Sequence, residues 1–244
     1  MNRALLALLL SAFDPLDAER PARSPVTLTF AVYSSTPDTI DVTSSAKTRI
    51  DAVWIGFQDA RLRPSTACKG ADAKAVVAGS FTVELVKHYA TTTETKLEIA
   101  RYCAFEVQLR RTKGRATGAP SELKGASIVV EGRRSDGVRF TIRSRLDTAL
   151  ALRAADLEGF AIPDGGAHWI AGVDIARWLE SVDLLEVAAD GSRGRTVVID
   201  EKSNTELLSR FNANIERGVA LFEDRNGDRN LDAEERARPI ASRR

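Results

Sequence analysis

Histidine and cysteine are scarce in this chain of 244 residues, and their scarcity removes several chemistries. With only His88 and His168, one chain cannot build a three-histidine metal centre. Cys68 and Cys103 form no CxxC pair, so neither a dithiol redox motif nor a thiolate zinc site has a basis. Charge of one sign is not in surplus. Lys+Arg 35 against Asp+Glu 34 leaves +1, which gives no global attraction to nucleic acid or to an anionic membrane. Aromatics are 6% of the chain and are not interleaved with its basic clusters, so a base-stacking surface is not indicated. There is no G-x-S-x-G elbow, no phosphate-cradling glycine loop, no internal repeat and no low-complexity tract. Neither histidine stands in a recognisable catalytic setting. No apolar run approaches the roughly 20 residues that a membrane helix needs.

What is present begins with export. Arg3 is followed by a short apolar run, Ala4 to Phe13, the pattern of a secretory signal peptide, so residues 1–18 are expected to be removed. No cysteine follows the run, so an acylated form is not supported. The polar, proline-punctuated stretch after it reads as a linker, placed at 19–25. Secretion, or a place in the periplasm or cell envelope, makes a Cys68–Cys103 disulfide the expected use of an even cysteine count.

Hydrophobic residues at 43% and charged residues at 28% suit a folded core. Val26, Leu28, Phe30 and Val32 alternate with smaller residues, the period of a half-buried strand. Similar alternation runs through Val53, Ile55 and Phe57, through Phe81, Val83 and Leu85, and through Cys103, Phe105, Val107 and Leu109. Residues 126–145 read as a hairpin about Ser135-Asp136-Gly137. Leu150 with Leu152, His168 to Val173, and Thr196 to Ile199 suggest further strands. Helical signals come late. Asp174 can cap a short helix bearing Ile175, Trp178 and Leu179. Ser203 and Glu206 have the capping-box spacing ahead of Leu207, Leu208, Phe211 and Ile215, with Gly218 as a stop. The expectation is a mainly β fold: an antiparallel β-sandwich or barrel-like sheet over 26–200, and a helical tail over 201–244 packed on it.

Residues 224–235, D-R-N-G-D-R-N-L-D-A-E-E, carry the only chemically specific pattern. They resemble the EF-hand calcium loop. Asp224, Asn226 and Asp228 occupy positions one, three and five; Asn230, Asp232 and Glu235 occupy seven, nine and twelve. Calcium takes six to eight hard oxygen ligands in a flexible shell, and short carboxylates and amides two residues apart can wrap it. Position seven supplies a backbone carbonyl, and Glu235 reaches back with both oxygens. Leu231 is the apolar residue at position eight. Arg229 departs from the pattern, standing at position six where glycine is the norm. A left-handed turn there costs a non-glycine residue about 1 kcal/mol. Glycine and valine at 218–219 argue for a strand-like approach to the loop rather than a full incoming helix. The resemblance implies calcium binding, of a structural kind in a calcium-rich medium, and no other family function.

Two basic turns suggest a second reading. Arg110, Arg111, Lys113 and Arg115 follow one strand, and Arg133 and Arg134 lie in the later hairpin. Should the two tips share one rim, they would bind an anionic envelope glycan or lipid. A third reading is a hydrolase whose site is assembled only in the fold. The leading expectation is an exported, non-enzymatic, calcium-binding β-sandwich protein. The chain outside its loop loosely resembles uncharacterised exported bacterial β-sandwich proteins.

Overall fold

The structure is a computed structural model that describes residues 22–42, 47–65, 74–77, 80–86, 91–113, 119–189 and 196–243. The expected signal peptide, Cys68, His88 and Arg115 lie outside the described residues. The protein is mainly β, as its alternation predicts. In chain order the strands begin with β1 (Arg23–Tyr33), β2 (Ile40–Asp41), β3 (Thr48–Pro64), β4 (Lys74–Val77), β5 (Phe81–Glu84), β6 (Thr91–Glu98) and β7 (Arg101–Leu109). Then come β8 (Ile128–Arg133), β9 (Arg139–Ser144), β10 (Ala149–Ala154), β11 (Phe160–Ala161) and β12 (Ala167–Asp174). Helix α1 (Ile175–Trp178), β13 (Thr196–Ile199), α2 (Thr205–Ile215), β14 (Val219–Glu223), α3 (Ala233–Arg236) and β15 (Ala241–Ser242) complete the order.

One curled sheet runs β13-β9-β8-β3-β7-β10-β15-β14-β12-β1-β6. Strand β3, 17 residues long, makes the corner. Its first half pairs with β8 and its second half with β7, and the changeover falls at Gly56. Gly56 N–H donates to Ser127 O at 2.7 Å and its carbonyl accepts from Arg110 N at 3.0 Å. A Cβ there would meet Arg110 O at 2.7 Å, so only glycine allows both partners to approach. Register shifts after Ile50 and Phe57 bend the strand in the manner of sandwich corners. The curl brings β1 over β3, although six steps of the sheet separate them. Phe30 and Phe57 rings lie 5.0 Å apart, and Phe81 closes the group at 5.1 and 5.6 Å. The alternating residues Val26, Leu28, Phe30, Val53, Ile55, Phe105, Val107 and Leu109 are all buried in this interior.

The sheet is mixed rather than purely antiparallel: β1 runs parallel to β12, β9 to β13, and β2 to β3. Residues 23–25, expected in the linker, already belong to β1. The C-terminal region departs most from the expected helical tail. Helix α2 packs its Leu208, Phe211 and Ile215 inward, but the chain then re-enters the sheet. Strands β14 and β15 lie between β12 and β10, in the middle of the strand order. Residues 201–243 therefore return to the sheet through β14 and β15 rather than forming an appendix to it. The reading of a strand-like approach to the loop agrees with β14.

Two local expectations change in mechanism. Asp174 caps α1 as expected, its Oδ1 accepting from Ala176 N at 3.1 Å. The Ser203–Glu206 box does not form. The cap of α2 is Asn204 in the left-handed region, and Asp200 Oδ1 takes the N–H groups of Lys202 and Ser203, both at 2.8 Å. Gly218 ends a 3-10 turn after α2, and its value lies in packing. A Cβ there would sit 2.4 Å from Trp178 Cδ1. Trp178 is fully buried, donates from Nε1 to Ile215 O at 3.1 Å, and meets the Phe211 ring edge-on at 5.9 Å.

Candidate calcium loop

Strand β14 delivers the chain directly into residues 224–235. Asp224 N–H continues the ladder by donating to His168 O of β12 at 2.9 Å. Asp224 is buried at 5% exposure because the carboxylate turns back over its own loop. Oδ1 accepts from Gly227 N at 2.8 Å and Oδ2 from Arg229 N at 3.1 Å. Asn226 Oδ1 accepts from Asp228 N at 2.9 Å, and Asp228 Oδ1 accepts from Asn230 N at 2.7 Å. Each is an Asx-type bond to the backbone two residues on, which is how short polar side chains coil a loop. Gly227 and Arg229 are both left-handed, with φ of 71° and 64°. Arg229 thus adopts the conformation that glycine supplies without steric cost at position six.

The far end is tied by Glu235, 3% exposed. Its Oε1 accepts from Arg225 N at 2.8 Å, near the start of the loop. Its Oε2 accepts from Asp232 N at 3.1 Å, while Asp232 Oδ1 accepts from Glu235 N at 2.9 Å. This reciprocal pair is a capping box that starts α3. The D-x-x-E spacing of Asp232 and Glu235 is the sequence signature of this box. Leu231 packs on a small cluster of Ile170, Ala220 and Phe222 on the sheet. After α3, Ile240 N donates to Leu221 O at 2.8 Å and returns the chain to the sheet.

Among the described residues, Asp224, Asp228, Asp232 and Glu235 form no ion pair. Arg225 turns away to Glu223 at 3.5 Å. Asp228 and Asp232 are exposed, and no three His, Cys, Asp or Glu side chains of the described residues are grouped to hold a metal ion. The donor set is nonetheless the hard-oxygen kind that suits calcium, and Asn226, Asp228 and Asp232 are exposed.

Among the described residues, the two basic turns line different hollows. Arg111 Nε donates to Arg145 O at 3.0 Å, and Arg110, Arg111 and Lys113 line a shallow hollow with Lys124 and Asp147. Arg133 lines a different hollow and pairs with Asp51 at 3.4 Å. Arg134 points inward. It is 9% exposed and donates from Nη1 to Leu184 O and Val187 O, both at 2.8 Å. It also pairs with Asp136, whose carboxyl is held down to about 2 by that bond first and then by Val138 N–H. Arg134 is therefore a clasp between the hairpin and residues 184–187, not a polyanion contact. On the disulfide side, Cys103 is half-buried with Sγ 3.5 Å from the carbonyl oxygens of Arg63 and Pro64. His168 is exposed on β12.

No family model matches the chain. No curated protein matches it. Among solved structures it is similar to MbnP from Methylosinus trichosporium, at 11% identity and a TM-score of 0.40, over 66% of this chain and 79% of that one.

Proposed function

We propose that this is an exported, non-enzymatic envelope protein in which residues 224–235 bind one calcium ion that fastens the C-terminal strands to the sheet. The observation that carries the reading is the pair of buried carboxylates, Asp224 and Glu235, held by backbone N–H groups and without an ion pair among the described residues. Buried charge without a counter-charge is costly, and a divalent cation offsets it. The carboxylates of Asp224, Asp228, Asp232 and Glu235, the Asn226 amide oxygen and the Asn230 carbonyl would hold the ion. The left-handed φ of Arg229 supports the same reading, since position six of such a loop requires it. Calcium supplies positive charge at the loop centre; the chain supplies the path. The loop lies between β14 and β15, so ordering it ties both to the sheet.

The test is a thermal melt of the wild type in millimolar calcium beside EDTA. Binding to the folded state alone adds about 2.7 kcal/mol at a hundredfold excess over Kd. Asp224→Ala should abolish the calcium-dependent shift and Glu235→Gln should reduce it. Magnesium should substitute poorly because it demands a tighter octahedral shell. Equal midpoints in calcium and EDTA for the wild type would sink the reading.

A further inference from the structure

A second polar feature lies on the surface beside α3, and its charge is of the opposite sign. A cleft of ≈ 540 Å³ is lined by Arg177 of α1, Arg217 of the 3-10 turn, Arg236 of α3 and Arg243 after β15. Four separate elements thus each contribute an arginine to the lining of one space. That volume is within the range of small-molecule sites, at about 300–1,000 Å³. Two carboxylates stand against the four guanidiniums. One, Asp174, is buried and already accepts from Ser35 N at 3.0 Å and Ala176 N at 3.1 Å, with Arg177 only at 4.0 Å. The other, Glu216, pairs with Arg243. Arg236 uses two of its five N–H donors on backbone carbonyls, Asp232 O at 3.2 Å and Ser34 O at 3.5 Å, and lies 6.0 Å over the Tyr33 ring, which orients the group without neutralising it. Arg217 is exposed and has no hydrogen-bond or ion-pair partner among the described residues. The cleft therefore keeps a local positive excess in a chain whose net charge is +1.

We propose that this cleft binds a doubly charged phosphate group, either free phosphate or a phosphate monoester, through Arg177, Arg217 and Arg236. Planar guanidinium forks match the spacing of phosphate oxygens and keep their charge at any physiological pH. The cleft exceeds a bare ion in volume, so an ester substituent has room. The inference does not depend on calcium in the neighbouring loop.

The experiment titrates the full chain with inorganic phosphate at constant ionic strength, in buffer without added divalent cations. A second arm uses phosphatidylcholine vesicles with and without phosphatidic acid, which separates a soluble phosphate from a lipid headgroup. Saturable binding in either arm is expected. The double variant Arg177→Gln/Arg217→Gln should lose about tenfold or more in affinity, since two charge-assisted contacts go. Neither arginine holds the fold through a close ion pair, so this variant should melt like the wild type. Glu216→Gln releases Arg243 and deletes a negative charge, and should tighten phosphate binding about two- to fivefold. Failure to bind both probes, equal affinity in the double variant, or weaker binding in Glu216→Gln overturns the proposal.

Discussion

Arg229 is the residue at which local cost and proposed function meet. Its φ of 64° is a conformation that disfavours a side chain by about 1–2 kcal/mol, yet the loop needs it. Arg229→Gly removes the steric cost and a positive charge near the carboxylates. Calcium affinity should rise, read as a larger calcium-dependent melting shift than in the wild type. A smaller shift would contradict the assignment of position six. Tyr33 offers a test of a different kind. Its phenol is pushed up from 10.0 to about 12, by burial first and by the Asp174 charge second, with Arg236 and Arg177 opposing. A raised folded-state pKa means that this stabilisation is whole below pH 10 and is lost as pH climbs toward 12. Denaturant melts at about pH 9 and pH 11 should show a smaller alkaline loss in Tyr33→Phe than in the wild type. Equal losses would mean that Tyr33 ionises as freely in the fold as outside it.

At the scale of elements, the pairing of β3 with β7 bears on the expected disulfide. Cys103 faces the end of β3 at Pro64, and Cys68 follows four residues later in the chain. We expect the two to be bonded in protein taken from its native host. Alkylation under denaturing, non-reducing conditions should leave both sulfurs unmodified; labelling of either would end the idea. Reduction should cost about 3–4 kcal/mol on the chain-entropy account. Elements also show where reading the chain works. Strict alternation in β10, whose burial runs exposed-buried throughout, is legible because a strand with one wet face must repeat every second residue. Strand β6, with the polar sequence TTTETKLE, is not legible. It lies at the end of the sheet order, where a strand needs little apolar surface and is held by its ladder to β1. The Ser203–Glu206 spacing misled for a related reason. Asp200 captured the local N–H groups first, and spacing alone cannot rank competing acceptors.

For the whole molecule, export is the condition under which a millimolar-range calcium site would be filled. Intact-mass measurement of protein from its native host should give a chain lacking residues 1 to about 18. A mass that includes Met1 to Phe13 would rule that out. What the sequence by itself determined is the local chemistry: the run of oxygen-bearing side chains in 224–235, the apolar alternation, the Asp174 cap and the Asp-Gly hairpin turn. These depend on residues within a few positions of one another, so their order in the chain is their order in space. What only the tertiary structure decided is the company each segment keeps. That β14 and β15 close the middle of the sheet, that Arg134 turns inward while Arg133 does not, and that Arg177, Arg217, Arg236 and Arg243 share one cleft all follow from the curl of the sheet. The curl is set by the shape and volume of a common core, to which residues from Val26 to Ala241 contribute together, and no local pattern encodes that sum.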